Sequence, residues 1–236
     1  RVVDASNTNA SKTVDYSYDD LNRLLSSVAS GVAVGQSGYN HSYTYDAIGN
    51  ILTRTDAAGT YVYAGSSGAN HANPHAVTSI GSTNYTYDNN GNMLTETGGL
   101  SNTWDYANRI TQIVKSGITS TYSYDHSGQR VKLANGSSTT YYPSSYYNTD
   151  GIAANKHILT PGGEVVATVK GTGTTAGIYY SHSDQLGSSS SITNSSGTLE
   201  ELMDYFPYGN IRLDQKASTS SEQRKFTGHE YDVDTG

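Results

Sequence analysis

A short pattern recurs along this chain: two aromatic residues separated by one residue, then Asp, then Gly or Asn three positions later. Intact copies begin at Tyr43 (YTYDAIGNIL) and at Tyr85 (YTYDNNGNML). A fixed period is the first feature to test, because it decides the class of fold. Intervals between second aromatics run from 18 to 27 residues, which indicates a unit of 18 to 20 residues with insertions. The other copies begin at Tyr16, Trp104 and Tyr122, with echoes at Tyr61 and at Tyr142.

Each unit predicts one β-hairpin. Alternation along a strand places the rings of Tyr43 and Tyr45 on one face, which we assign to the packed side. The carboxylate of Asp46 can accept backbone N–H groups two residues on and close a turn. Gly49 supplies the positive φ that such a turn needs. The following segment, Ile51 to Thr53, has the composition of a returning strand.

The residues assigned to this structural motif are Tyr16, Tyr18, Asp19, Tyr43, Tyr45, Asp46, Gly49, Tyr85, Tyr87, Asp88, Gly91, Trp104, Tyr106, Tyr122, Tyr124, Asp125 and Gly128. An isolated hairpin is marginal in water, so stability must come from stacking of one unit on the next. Tyr provides 21 of the 24 aromatic residues and only 34% of the chain is hydrophobic. The interior is therefore expected to consist of rings with polar tips. The predicted fold class is all-β.

Composition also excludes several functions. The net charge is −7 and there is no basic run, which argues against a nucleic-acid surface. No apolar stretch is long enough to predict a membrane span. Cysteine is absent, so disulfides and thiolate metal sites are excluded, and no cofactor is predicted.

The unit Y-x-Y-D-x-x-G-N-x-L closely resembles the YD repeat of RHS proteins, of the C subunits of Tc toxins and, more distantly, of teneurins. The segment NPHAVTSIG, 73–81, looks like an RHS inter-repeat segment. Three further segments resemble the start of the RHS-associated core in order: YYSHSDQLGS from Tyr179, DYFPYG from Asp204 and KFTGHEYDVDTG from Lys225. The core-motif residues carried over are His182, Asp184, Leu186, Gly187, Tyr205, Pro207, Gly209, Phe226, Gly228 and Tyr231.

The resemblance implies a division into YD repeats and connecting hairpins, 1–178, and the first part of the RHS-associated core, 179–236, ending before the family's cleavage motif. Gln185 departs from the His that relatives often carry there. The segment from Lys156 to Lys170 predicts a hairpin around Pro161.

The resemblance further implies a segment of a spiralling β-sheet shell, non-catalytic, that encapsulates a C-terminal toxin domain in a secreted or surface bacterial polymorphic toxin. Its partners would be the rest of its own shell and the enclosed domain, with secretion machinery or glycans as further candidates. The alternative hypothesis is an extracellular adhesin, a filament component or a carbohydrate-binding β-repeat module.

Two groups of residues invite a catalytic reading. His182, Ser183 and Asp184 are adjacent, but nucleophilic triads are spatial constellations, and in an extended strand Ser183 would point away from the other two. Glu200 and Glu201 would likewise face opposite sides, so we expect them to solvate an exposed face rather than to form a carboxylate pair.

Three further patterns could indicate binding sites, and each has a structural alternative. The loop starting at Asp88 is acidic but lacks the twelfth-position Glu of a calcium loop, so a turn is expected. His71 and His75 flank Pro74 without a third ligand for zinc. Six tyrosines could form a platform that binds sugar rings, but we prefer a role in packing the wall. These tyrosines are Tyr141, Tyr142, Tyr146, Tyr147, Tyr179 and Tyr180.

Overall fold

The chain is all-β, as the sequence predicts. A computed structural model describes residues 2–4, 12–31, 38–57, 59–64, 74–173, 176–218 and 221–235. The described part contains no α-helix, and a 3-10 turn spans Phe226–Gly228. The described part also includes no helix of the length and apolarity needed to cross a membrane.

The strands follow one another along the chain as neighbours in space. Five form one sheet and sixteen form another, and every neighbouring pair with a defined register is antiparallel. Short connections between antiparallel neighbours make this a hairpin array with mostly local contacts.

The first sheet comprises β1 (Val2–Asp4), β2 (Lys12–Tyr18), β3 (Leu24–Ser30), β4 (His41–Tyr45) and β5 (Ile51–Arg54). The second comprises β6 (Tyr61–Val62), β7 (Ser79–Ile80), β8 (Thr83–Tyr87), β9 (Met93–Glu96), β10 (Leu100–Trp104), β11 (Ile110–Lys115), β12 (Ile118–Tyr124), β13 (Arg130–Asn135), β14 (Ser138–Ser144), β15 (Tyr147–Thr149), β16 (Ala154–Leu159), β17 (Val165–Lys170), β18 (Gly177–Ser183), β19 (Ser189–Asn194), β20 (Leu199–Tyr205) and β21 (Ile211–Lys216).

The chain divides into two compact units, Arg1–Ile110 and Thr111–Gly236. The expected division at 178/179 falls inside β18 and stays a prediction. In the first unit Val14 and Tyr43 are buried. In the second unit the centre of the core is formed by Ile192, Met203 and Tyr205, with Tyr179, Ile211 and Phe226 packed around them.

The hairpin predicted around Pro161 is present as β16 and β17, paired from Asn155↔Lys170 to Leu159↔Val165. A register shift precedes its turn, between Ile158 and Leu159. The repeat hairpins have the same irregularity next to the second aromatic, as between Thr44 and Tyr45. Such a bulge increases local twist and turns one side chain relative to its neighbours.

Candidate functional site

The repeat turns share one hydrogen-bonding scheme. In the turn that starts at Asp46, its N–H donates to the carbonyl of Asn50 and the Gly49 N–H donates back to the Asp46 carbonyl. Gly49 has φ of 95°, a region that non-glycine residues other than Asn rarely adopt. Among the described residues the same pair of bonds closes turns that start at Asp19, Asp46, Asp88, Asp105, Asp125, Thr160, Asp184, Asn194, Phe206 and Lys225.

The Asp side chain completes the turn from within. Asp88 Oδ1 accepts the N–H groups of Asn90 and Asn92 at 2.9 Å each, and Asn92 Nδ2 donates to Asp88 Oδ2. The bond from the Asn92 side chain holds the pKa of Asp88 below its usual value. Because its oxygens are occupied in this way, the carboxylate is a turn-forming group, and the structure provides no assembled calcium loop at Asp88. Among the described residues there is no cluster of His and carboxylates arranged to hold a metal ion.

One assignment within the repeat is wrong. We expected Trp104 and Tyr106 to be an aromatic pair, but Tyr106 lies in the turn and is 95% exposed. Asp105 starts that turn, Asn108 has φ of 57°, and Trp104 ends β10 in the position of the second aromatic. The error has a local cause: aromatic residues flank Asp105 on both sides. The register of Trp104 with Tyr106 matches the aromatic pair, whereas the other register places Asp105 and Asn108 at the turn positions.

The repeat tyrosines differ in burial. Tyr43, Tyr87 and Tyr122 are buried, whereas Tyr18 is exposed. The remaining repeat rings, of Tyr16, Tyr45, Tyr85 and Tyr124, are half-buried. The hydroxyl of Tyr45 reaches across units and donates to the carbonyl of Leu24 in the preceding hairpin.

The three core motifs converge in the second unit. The rings of Tyr205 and Phe226 are 5.6 Å apart. A Cβ on Gly209 would lie 2.6 Å from the Phe226 ring, so only glycine allows this approach. Gly228 lies against the carbonyl of Gly187, and the turns that contain Pro207, Asp184 and Gly228 thus meet at one end of β18 to β21.

We expected His182 and Asp184 to lie on one face of a strand. They do not. β18 ends at Ser183, and Asp184 starts a turn in which its carboxylate accepts the N–H groups of Leu186 and Ser188. His182 Nε2 lies 2.9 Å from Thr193 Oγ1 on the neighbouring strand. The geometry therefore favours a structural role for these residues over a triad.

The two weaker binding hypotheses gain no support. His75 Nδ1 lies 2.8 Å from Asn50 Oδ1, and His71 falls outside the described residues. Tyr142 is buried while its neighbour Tyr141 is exposed on the opposite face of β14. The tyrosines considered as a sugar platform therefore do not form one joint surface.

A feature that the sequence did not reveal is the segment 221–235, here called the strap, which crosses the strands of the second unit. At one end Lys115 Nζ donates to the Thr235 carbonyl, and at the other Lys170 Nζ donates to the Ser221 carbonyl, both at 2.7 Å. Arg130 pairs with Glu230 and Asp232 of the strap. These partners are about a hundred residues apart in sequence, so no local pattern could have indicated them.

The deepest strap contact overturns another expectation. Glu201, expected to be solvated, is only 2% exposed. Its carboxyl accepts the backbone N–H of Glu222 and lies 3.3 Å from Lys225 Nζ. Lys225 also contacts Asp214 at 2.8 Å. Glu200, by contrast, is half-buried and accepts a bond from Asn194.

Comparison with solved structures identifies the same architecture in larger molecules. The crystal structure of TcdB2-TccC3-TEV aligns with 94% of this chain at 16% sequence identity and a TM-score of 0.55. The fold matches part of that molecule. This chain spans 15% of its length.

The crystal structure of TcdB2-TccC3 and the structure of the Photorhabdus luminescens Tc holotoxin pore also match. They cover 95% and 96% of this chain, respectively, and 16% of their own chains, with 16% identity and a TM-score of 0.47 in each case. No protein-family model and no curated protein sequence matches the chain.

Proposed function

We propose that this chain is a structural, non-catalytic segment of an RHS/YD-repeat shell that encapsulates a C-terminal toxin domain, in a secreted or cell-surface bacterial polymorphic toxin. Its partners would be the remaining turns of the same shell, the enclosed domain and the secretion machinery. The proposal extends from the fold, which the TcdB2-TccC3-TEV structure shares, to a role that the longer molecule would perform.

The observation that carries the proposal is the dependence of each unit on the one before it. Tyr45 donates to Leu24 and Trp104 Nε1 donates to Met93, so the carbonyl at the start of one returning strand accepts a hydrogen bond from an aromatic side chain of the next unit. Arg23 adds a bond to the Asp46 carbonyl across the same junction. A wall built in this way extends by adding identical contacts, which suits a continuous barrier.

The barrier role is supported by what the turns do with their polar groups. The carboxylates of the repeat are used to close turns, as those of Asp88 and Asp125 are. A structural wall needs such internal satisfaction, since unpaired polar groups in a packed array destabilise it.

The test is to purify the complete natural polypeptide that contains this chain and to combine electron microscopy with limited proteolysis. We expect a hollow particle in which a C-terminal domain resists protease until the wall is denatured. The hydroxyl of Tyr63 donates to the Ile51 carbonyl and that of Tyr87 to the Val77 carbonyl. A combined variant, Tyr45→Phe with Tyr63→Phe and Tyr87→Phe, should open the wall and expose that domain, whereas Tyr106→Phe should not. A solid rod or filament, or a C-terminal domain digested as fast in the folded protein as after denaturation, would exclude the proposal.

A further inference from the structure

Lys225 is enclosed between two carboxyl groups inside the second unit. Its Nζ lies 2.8 Å from Asp214 Oδ2 on β21 and 3.3 Å from Glu201 Oε1 on β20. The Lys225 side chain is 5% exposed and that of Glu201 is 2% exposed. Two acids and one base therefore share a nearly closed site, and a second lysine, Lys216, lies 3.4 Å from the same Asp214 oxygen at a more exposed position.

The site is apolar on one side and opens on its other side to a polar cavity between the strap and the sheet. Met203 Sδ is 3.7 Å from Lys225 Nζ, and the ring of Tyr231 lies 5.9 Å from it. Met203 and Tyr205 are both buried, which excludes bulk water from one side of the cluster. In such a medium charged forms are penalised, and transfer of the lysine proton to a neighbouring carboxylate becomes much easier than in water.

The protonation states fit this environment. Burial raises the pKa of Glu201. Burial also opposes ionisation of Asp214, but hydrogen bonds from Lys225 and from Glu201 outweigh it and lower the pKa of Asp214. Asp214 Oδ1 is buried and has no hydrogen-bond partner among the described residues. Of the two carboxyl groups, Glu201 is the one whose pKa is raised, which favours it as the proton donor.

We propose that Lys225 and Asp214 form an intramolecular isopeptide bond, with Glu201 as the catalytic acid and base. Lys225 transfers a proton to the Asp214 carboxylate, and the neutral Nζ attacks Cγ of Asp214 to form the C–N bond. Glu201 donates its proton to the departing hydroxyl and takes up a proton from nitrogen, so it ends as it began. One water is released, and no oxidant, reductant or cofactor is consumed.

The site has room for the product. Asp214 and Lys225 line a cavity of about 460 Å³ between the strap and the sheet, into which the water can pass. The bond would join the strap covalently to β21, in a chain that has no cysteine for a disulfide. This covalent bond does not depend on the proposed function as part of a shell, because it lies within the second unit alone.

Intact-mass spectrometry of the folded full chain is the decisive measurement. We expect a mass lower than the sequence mass by one water, and a tryptic digest in which the peptides that contain Asp214 and Lys225 remain joined. A folded wild-type chain with the full sequence mass and two separate peptides would overturn the proposal whatever the variants do.

The variants separate chemistry from packing. Lys225→Arg keeps the ion pair but cannot form the amide, and it should have the full sequence mass with native circular dichroism. Glu201→Gln should fold and remain largely unlinked, whereas Lys216→Arg should link as the wild type does. Asp214→Asn should lose ammonia instead of water as it links. Linkage that persists in Lys225→Arg would assign the bond to another lysine and refute the site.

Discussion

The hydroxyl of Tyr45 donates a 2.7 Å hydrogen bond to the carbonyl oxygen of Leu24, the first residue of the returning strand in the preceding hairpin. Tyr63 reaches Ile51 in the same way, and Tyr205 reaches Ser189. In each case the acceptor begins a returning strand, five residues after the residue that starts the turn. The aromatic of one unit therefore completes the backbone hydrogen bonding of the previous one.

Replacing Tyr45 by Phe removes this bond and keeps the ring. The Leu24 carbonyl then loses this donor, and we expect the free energy of unfolding to fall by ~1 kcal/mol. The stacking of Arg23 on the ring, at 4.8 Å, is preserved in this variant. Urea unfolding measures the change, with Tyr106→Phe as the exposed control. Equal stability of the Tyr45 variant and the wild type would show that the contact contributes nothing.

Substitution of Gly49 tests the turn. Its φ of 95° forces any L side chain into a strained region, so Gly49→Ala should destabilise the chain by ~1–3 kcal/mol. Asn22 occupies the equivalent position at φ 59°, and Asn22→Gly should change stability by no more than about 0.5 kcal/mol. Gly162, which lacks a positive φ and has only an ordinary contact to Thr160, is the matched control for alanine substitution. Thermal melts should show the largest fall in melting temperature for Gly49→Ala, a smaller change for Asn22→Gly and the smallest for Gly162→Ala.

The local features of this fold were accessible from sequence because their causes are local. An Asp that closes a turn and a Gly that permits positive φ act within five residues, so the roles of Asp46 and Gly49 could be predicted from the sequence. The register of the Trp104 unit was assigned wrongly, because aromatic residues flank Asp105 and the turn has Asn108 instead of Gly.

Features that depend on chain reversal over long distances were missed. Nothing near Glu201 in the sequence indicates that Lys225, 24 residues later, will cover it. The burial of Arg130 against Glu230 requires a hundred residues to fold back. The composition predicted an interior of rings with polar tips, but it did not indicate which charged residues would lie there.

Removing Arg130 should release the strap. Arg130 pairs with Glu230 and Asp232 and stacks on the ring of Tyr142 at 4.7 Å. Arg130→Met removes the ion-pair partner of Asp232 and leaves Glu230 with Arg224, 3.6 Å away. A loss of ~3 kcal/mol is expected. Hydrogen–deuterium exchange should show that the substitution accelerates exchange in the strap, 221–235, more than in β16 and β17.

The matched control for this variant is Lys132→Met. Lys132 is two residues along the same strand and contacts the exposed ring of Tyr141 at 6.0 Å. Exchange of the strap should be unchanged in this variant. Uniform acceleration over the whole second unit in Arg130→Met would indicate global unfolding and would count against a separable strap.

Acid should destabilise the second unit through His157. Its Nε2 accepts a bond from Asn148 Nδ2, whose own oxygen accepts one from Asn155, and this leaves Nδ1–H to donate to Thr168 Oγ1. The imidazole is therefore neutral when folded. Burial, together with the positive charges of Arg224 and Lys170, lowers the pKa of His157 to about 4.

The sign of the effect follows from proton binding. Below the ordinary histidine pKa of 6.5 the unfolded chain takes up a proton at this residue, while the folded chain does not until pH is near 4. The contribution of His157 to stability is thus complete above pH 6.5 and declines as pH falls, by ~3 kcal/mol at most. Urea unfolding at about pH 7.5 and about pH 5 measures it. His157→Gln should lack this part of the pH dependence, while opposing contributions such as the raised pKa of Glu201 cancel in the comparison. Identical pH profiles for both proteins would mean that His157 is already protonated, or solvated, in the folded state.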